Sequence, residues 1–86
     1  ARRLKVFLMK KNNILDEAVR QSLDSYFADL GDTEPNDLYD MVVGCVERPL
    51  LEVAMQRANN NQSRAALMLG VTRNTLRKKL LAHKLL

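Results

Sequence analysis

Ala66 and Gly70 stand four residues apart and divide the C-terminal end of the chain into two short amphipathic segments. The stretch reads Gln62-Ser63-Arg64-Ala65-Ala66-Leu67-Met68-Leu69-Gly70-Val71-Thr72-Arg73-Asn74-Thr75-Leu76-Arg77-Lys78-Lys79-Leu80. Two helices that cross tightly need a small residue at the crossing and a glycine that can take positive φ at the turn. Ala66 and Gly70 meet those needs. Val71, Leu76 and Leu80 supply aliphatic groups after the turn and on the inner face of the second segment. Leu67 and Leu69 are expected to fill the other side. This spacing predicts a helix-turn-helix, with one helix over about 63–69 and the next from Thr72 to about Leu81.

Two longer helices are predicted upstream. Leu15, Val19, Leu23, Tyr26, Phe27 and Leu30 recur in steps of mostly three and four, which predicts a helix over about 15–30. Asn13 is placed to cap its start, Asp16 and Glu17 suit the positive end of the helix dipole, and Gly31 supplies the stop. Turn formers follow in Gly31-Asp32-Thr33-Glu34-Pro35. The second helix is expected from Asn36 or Asp37 to Ala58. Its apolar positions Leu38, Val42, Cys45, Val46, Leu50, Val53 and Ala54 are widened by Met41, Val43 and Leu51. A helix apolar on more than one side calls for two partners. The first helix is expected to be one, and a second subunit the other. Pro49 lies inside this pattern, and a kink rather than a break is expected because the period continues past it. Residues 1–13 show no clear period and read as an arm, a short strand or a remnant of processing. The chain therefore divides into 1–13, dimerisation helices over 14–58, and a helix-turn-helix unit over 59–86. The fold class is all-α: four helices, a dimeric four-helix core and the C-terminal helix-turn-helix.

Charge is polarised along the chain. All 10 acidic residues lie between Asp16 and Glu52, and none follows. Residues 53–86 carry only basic charge, and residues 1–13 likewise, within a net charge of +4. Such a field suits a polyanion at one end. Thr72 is a natural helix cap, so Arg73, Asn74 and Thr75 form the first turn of the last helix, the part of a recognition helix that reaches base edges. Arg73 is expected to pair with guanine O6 and N7. Arg77 shares its face at i+4, and Lys78 and Lys79 extend the positive surface toward phosphates. Asn61, Ser63 and Arg64 open the preceding helix, where amides and hydroxyls can take phosphate oxygens. The predicted partner is double-stranded DNA.

Other classes fare poorly. The chain has 86 residues and one cysteine, so no internal disulfide forms. Cys45 with the single histidine, His83, cannot build a zinc cage. No apolar run approaches the roughly 20 residues of a membrane span. A membrane-surface helix would want Trp or Phe on its apolar face, and no aromatic of that kind follows Phe27. No enzyme is expected: His83 has no Ser or Cys placed to use it, Cys45 reads as core, and Asp37 and Asp40 serve a helix start. No cofactor and no metal are expected.

Residues 61–80 closely resemble the Fis family, named for factor for inversion stimulation. The resemblance extends upstream through Ser22–Leu30, Asp37–Asp40 and Val46–Val53, with Pro49 inside the helix. It covers about residues 14–81. The resemblance implies a bacterial, cytoplasmic, nucleoid-associated transcriptional regulator. It implies a homodimer whose first two helices interlock as a four-helix core. The two recognition helices then sit closer than one DNA turn, so the DNA bends. A guanine in each half-site and a deformable A/T-rich centre give a loose preference. Arg73 matches the family's guanine reader. Asn61, Ser63, Arg64, Thr72, Thr75, Arg77, Lys78 and Lys79 match its other DNA-facing positions. A DNA recombinase or RNA polymerase is the further partner implied, although residues 1–13 do not resemble the β-hairpin arm that activates invertases. The alternative is the C-terminal domain of a nitrogen-regulation type enhancer-binding activator, which ends in the same motif.

Overall fold

The computed structural model describes residues 5, 6, 9, 10 and 13–86, in two compact units over 1–37 and 38–86. Lys5, Val6 and Met9 are helical, so no strand runs through them. The remainder of the expected arm lies outside the described residues.

In the first unit, α1 spans Ile14–Leu30. Asn13 caps it: its Oδ1 accepts the Asp16 N–H at 2.9 Å. Asp16 also holds the Arg20 guanidinium at 2.6 Å, one turn on. Gly31 ends the helix at φ +64, donating its N–H to the Phe27 carbonyl at 3.2 Å. Tyr26 and Phe27 meet edge to face, with ring centroids 5.7 Å apart. No residue of α1 is buried. Of its apolar stripe, Leu15 and Phe27 are exposed, and Val19, Leu23, Tyr26 and Leu30 are half-buried.

The second unit holds α2 (Leu38–Arg57), α3 (Gln62–Leu69) and α4 (Arg73–Ala82). One unbroken α2 runs through Pro49. The proline forfeits a single N–H bond, and the helix continues because Leu51, Ala54 and Ala58 beyond it are buried. Asn59 and Asn60 both take positive φ, at 53° and 63°, and turn the chain from α2 into α3. Asparagine tolerates that region better than other residues with a Cβ.

The core of this unit is small. Leu51 and Ala58 of the α2 segment, Ala65 and Ala66 of α3, and Leu76 and Leu80 of α4 form one buried cluster. Met55, Leu69, Val71 and Leu85 pack against it. The C-terminal half of α2 thus supplies part of the core on which α3 and α4 close.

Leu67 and Cys45 depart from their expected places. Leu67 does not fill the inner side, because it is 82% exposed. Ala65, Ala66 and Leu69 take that face, and Leu67 sits about 200° round the helix from Ala65. Cys45 is exposed and not core. The buried stripe of α2 lies beyond it, at Leu51, Ala54 and Ala58.

α2 keeps a second apolar row on its surface. Tyr39, Val43, Val46, Leu50 and Val53 are all exposed. They recur in alternating steps of four and three, the spacing of a helix seam that packs against another helix.

Candidate nucleic-acid interface

α3 and α4 are joined by Gly70, Val71 and Thr72. Gly70 caps α3 in the left-handed conformation at φ 76°, ψ 29°. Its N–H and that of Val71 return to the Ala66 carbonyl, at 2.9 and 3.0 Å. A side chain at residue 70 would be strained by the backbone angle alone, although the space around it is open.

Both helices start from side-chain caps. Asn61 Oδ1 accepts the Arg64 N–H at 3.0 Å. Thr72 Oγ1 accepts the Thr75 N–H at 3.1 Å and lies 2.9 Å from the Thr75 hydroxyl. Each cap takes up one N–H of its helix and leaves earlier ones facing outward. Those remaining donors, at the positive end of the helix dipole, favour anions.

The side chains expected at the interface are on the surface. Asn61, Ser63, Arg64, Thr72, Arg73, Asn74, Thr75, Arg77 and Lys78 are all exposed. Among the described residues, Arg64, Arg73, Arg77 and Lys78 form no ion pair. Leu76 and Leu80 face inward and anchor α4. Asn74 and Lys78 lie opposite those anchors and Arg77 to one side, whereas Arg73 is exposed because it stands in the first turn, where the helix begins.

Lys79 is different. Its Nζ lies 2.7 Å from Glu47 Oε2 on α2, and the residue is half-buried. Six positions separate it from Arg73, which places it about 120° away around α4 and toward α2. His83, one turn further, puts Nε2 at 2.8 Å from Glu47 Oε1. The neighbouring Arg48 donates from Nη1 to the His83 carbonyl at 2.7 Å. The His83 ring also lies over Gly44, where a Cβ would come within 3.9 Å of Cε1. Glu47 and Arg48 thus hold the end of α4, the first by its carboxylate and the second through the His83 carbonyl. Neither His83 nor Glu47 was an expected contact of α4. A signal existed: no acid follows Glu52, so a cation and a histidine on the α2 side of α4 must find their carboxylate upstream.

The two partners hold the Glu47 carboxyl below its ordinary value of 4.5, first through the Lys79 hydrogen bond and then through that of His83. A carboxylate depressed in the folded state stabilises the fold fully above its unfolded value and loses that contribution as pH falls through the folded one. The thermal midpoint of the parent should therefore exceed that of Glu47→Gln at neutral pH. Acidification below about pH 4.5 should shrink the margin. Melting curves at stepped pH measure this, and a margin indifferent to acid would contradict the pairing.

Among the described residues no cluster of His, Cys, Asp and Glu could hold a metal, and no helix is long and apolar enough to cross a membrane.

Residues 44–83 match the bacterial regulatory proteins of the Fis family. A protein of Ralstonia nicotianae described as a Fis-like DNA-binding protein is 54% identical over 74 residues, which is 86% of this chain and 96% of that one. A Fis-like DNA-binding protein of Neisseria meningitidis serogroup A is 53% identical over 84% of this chain and 91% of its own. The DNA-binding protein Fis of Escherichia coli O1:K1 is 53% identical over 66 residues, 77% of this chain and 67% of that protein. The matched span contains Glu47, the two caps, Gly70 and the basic face of α4.

Proposed function

This chain belongs to the Fis family of bacterial regulatory proteins, and from that premise we propose that it is a regulator that binds duplex DNA as a homodimer and bends it. The observation that carries the reading is the first turn of α4. Arg73 and Asn74 stand exposed at a capped helix start, in a stretch of chain without a single acid. Arg73 reads guanine in the major groove. Asn74, Arg77 and Lys78 continue that face. Asn61, Ser63, Arg64, Thr72 and Thr75 meet the phosphates on either side through side chains and helix N-termini. These contacts position the protein and carry little sequence information.

The row Tyr39, Val43, Val46, Leu50 and Val53 supports the dimer. α1 supports it too, because none of its residues is buried within the chain. Four such helices, two from each copy, can bury these stripes together. The paired recognition helices then approach more closely than one helical turn of DNA, and the duplex must bend to meet both. Bending of that size costs on the order of 1–6 kcal/mol, offset by added phosphate contacts. The cost depends on the sequence being bent, so an A/T-rich centre is preferred without being touched. A recombinase or RNA polymerase is the further partner that fits a regulator of this kind in the bacterial nucleoid.

The test is a gel shift on a duplex with one guanine per half-site and an A/T-rich centre, permuted so that the site moves along the fragment. A retarded complex whose mobility depends on site position is expected. Absence of retardation at micromolar protein would sink DNA binding, and mobility independent of position would sink bending alone.

A further inference from the structure

Glu47 is the acid that meets the recognition helix, and it does so at both Lys79 and His83. Building on the DNA-binding reading above, we propose that Glu47 is a specificity-determining positioning residue: it clasps the end of α4 and withholds the Lys79 ammonium from phosphate. Three observations converge on this. The carboxylate uses both oxygens, one for each partner, at 2.7 and 2.8 Å. Arg48, next in sequence, fastens the His83 carbonyl, so side chain and backbone of the same turn are held from the same helix. Lys79 is half-buried against α2, whereas Arg73, Arg77 and Lys78 are exposed.

A lysine is a flexible point charge that binds any phosphate it can reach. Each phosphate neutralised adds to affinity for every sequence alike. Tying Lys79 to Glu47 removes one such contact. Non-specific affinity falls, while the Arg73 contact with a base is kept. Holding the last turn of α4 also limits how far its first turn can tilt, so Arg73 meets the groove in one register. Glu47 therefore raises the ratio of matched to mismatched binding without touching DNA.

The test uses the full 86-residue chain and four proteins: the parent, Glu47→Gln, Lys79→Gln and the double variant. Each is titrated by fluorescence anisotropy against a guanine-bearing, A/T-centred duplex and the same duplex without the guanines, over a range of salt. Glu47→Gln should bind the guanine-free duplex more tightly. Its plot of log affinity against log salt should steepen by about one unit. Its discrimination between the duplexes should fall roughly 3- to 10-fold, about 0.7–1.4 kcal/mol. The slope change should vanish in the Lys79→Gln background, as a double-mutant cycle requires when the two act as a pair. Lys79→Gln alone should leave the parent's slope unchanged, which decides the matter even if Glu47→Gln fails to fold. A slope already lowered by about one unit in Lys79→Gln would place that lysine on phosphate in the parent and overturn the proposal. A folded Glu47→Gln with parental slope and discrimination would overturn it too. Arg73→Ala separates the levels: if that variant loses guanine preference while Glu47→Gln equals the parent, only this inference fails. A parent that binds neither duplex overturns both readings.

Discussion

Aspartates at Val46 and Val53 together should convert the protein from dimer to monomer and weaken DNA binding by about 10²- to 10⁴-fold. Both side chains are exposed in the single chain, on the α2 row one heptad apart. Neither belongs to the buried cluster of Leu51, Ala58, Ala65, Ala66, Leu76 and Leu80. The unit over 38–86 should therefore keep its fold. In a dimer the same two positions would each be pressed against apolar surface, and a carboxylate there carries a desolvation penalty with nothing to pair it. Losing the second copy makes the second half-site a separate binding event, and linked events exceed single ones by about the stated factor. Sedimentation gives the oligomeric state, circular dichroism the helix content, and anisotropy the affinity. A double variant that sediments as a dimer and binds like the parent would remove the α2 row from the interface.

The proposed complex would have two sources of selectivity. One is local: a few polar groups at the start of α4. The other lies in the spacing between two copies of α4, which the proposed seam on α2 would set. Because α2 contributes Leu51, and the chain just past its end Ala58, to the core under α3 and α4, the proposed seam and the support of α4 share one helix. A change in α2 can then reach the DNA by two routes, through the pairing of copies and through the Glu47 clasp on Lys79 and His83.

Much of this unit was legible in the order of residues. Asn13, in the first unit, and Thr72 were expected as N-terminal caps and each accepts the N–H three residues on; Asn61, expected only at the opening of α3, caps it in the same way. Gly70 has the positive φ that its place between two apolar segments demands. The four helices begin and end within about two residues of the expected bounds, because caps and glycines are local signals. Tertiary choices were not local. α2 has more apolar positions than one neighbour can cover, and the sequence did not say that Leu51 turns inward while Leu50 and Val53 turn out. The ion pairs of Glu47 span 32 and 36 residues, beyond any periodicity. Angular bookkeeping on α4 would have placed Lys79 away from Arg73, yet the run Arg77-Lys78-Lys79 reads as one basic block until its members are set around a helix.

Arg73→Ala should cost about 1–3 kcal/mol on a guanine-bearing duplex, roughly 5- to 150-fold in affinity, and clearly less on the same duplex without the guanine, where only its charge is lost. The argument rests on where the side chain stands. Thr72 caps α4, so Arg73 is its first helical residue and projects from the end that would enter a groove in the proposed complex. Its guanidinium is exposed and, among the described residues, makes no ion pair, so binding DNA requires no internal contact to be broken. Guanine offers two acceptors in the major groove that match the fork of arginine, and the other bases offer none in that arrangement. Lys78 provides the contrast on the same helix. Lys78→Ala should weaken both duplexes alike and lower the salt slope by about one unit, as loss of a phosphate contact does. Lysine at 73 should recover charge but only part of the preference, because an ammonium cannot reproduce two parallel donors. If Arg73→Ala bound the guanine duplex as tightly as the parent, the first turn of α4 would not be the reading head. The basic face would then act through phosphates alone, and selectivity would rest on how readily each DNA sequence bends.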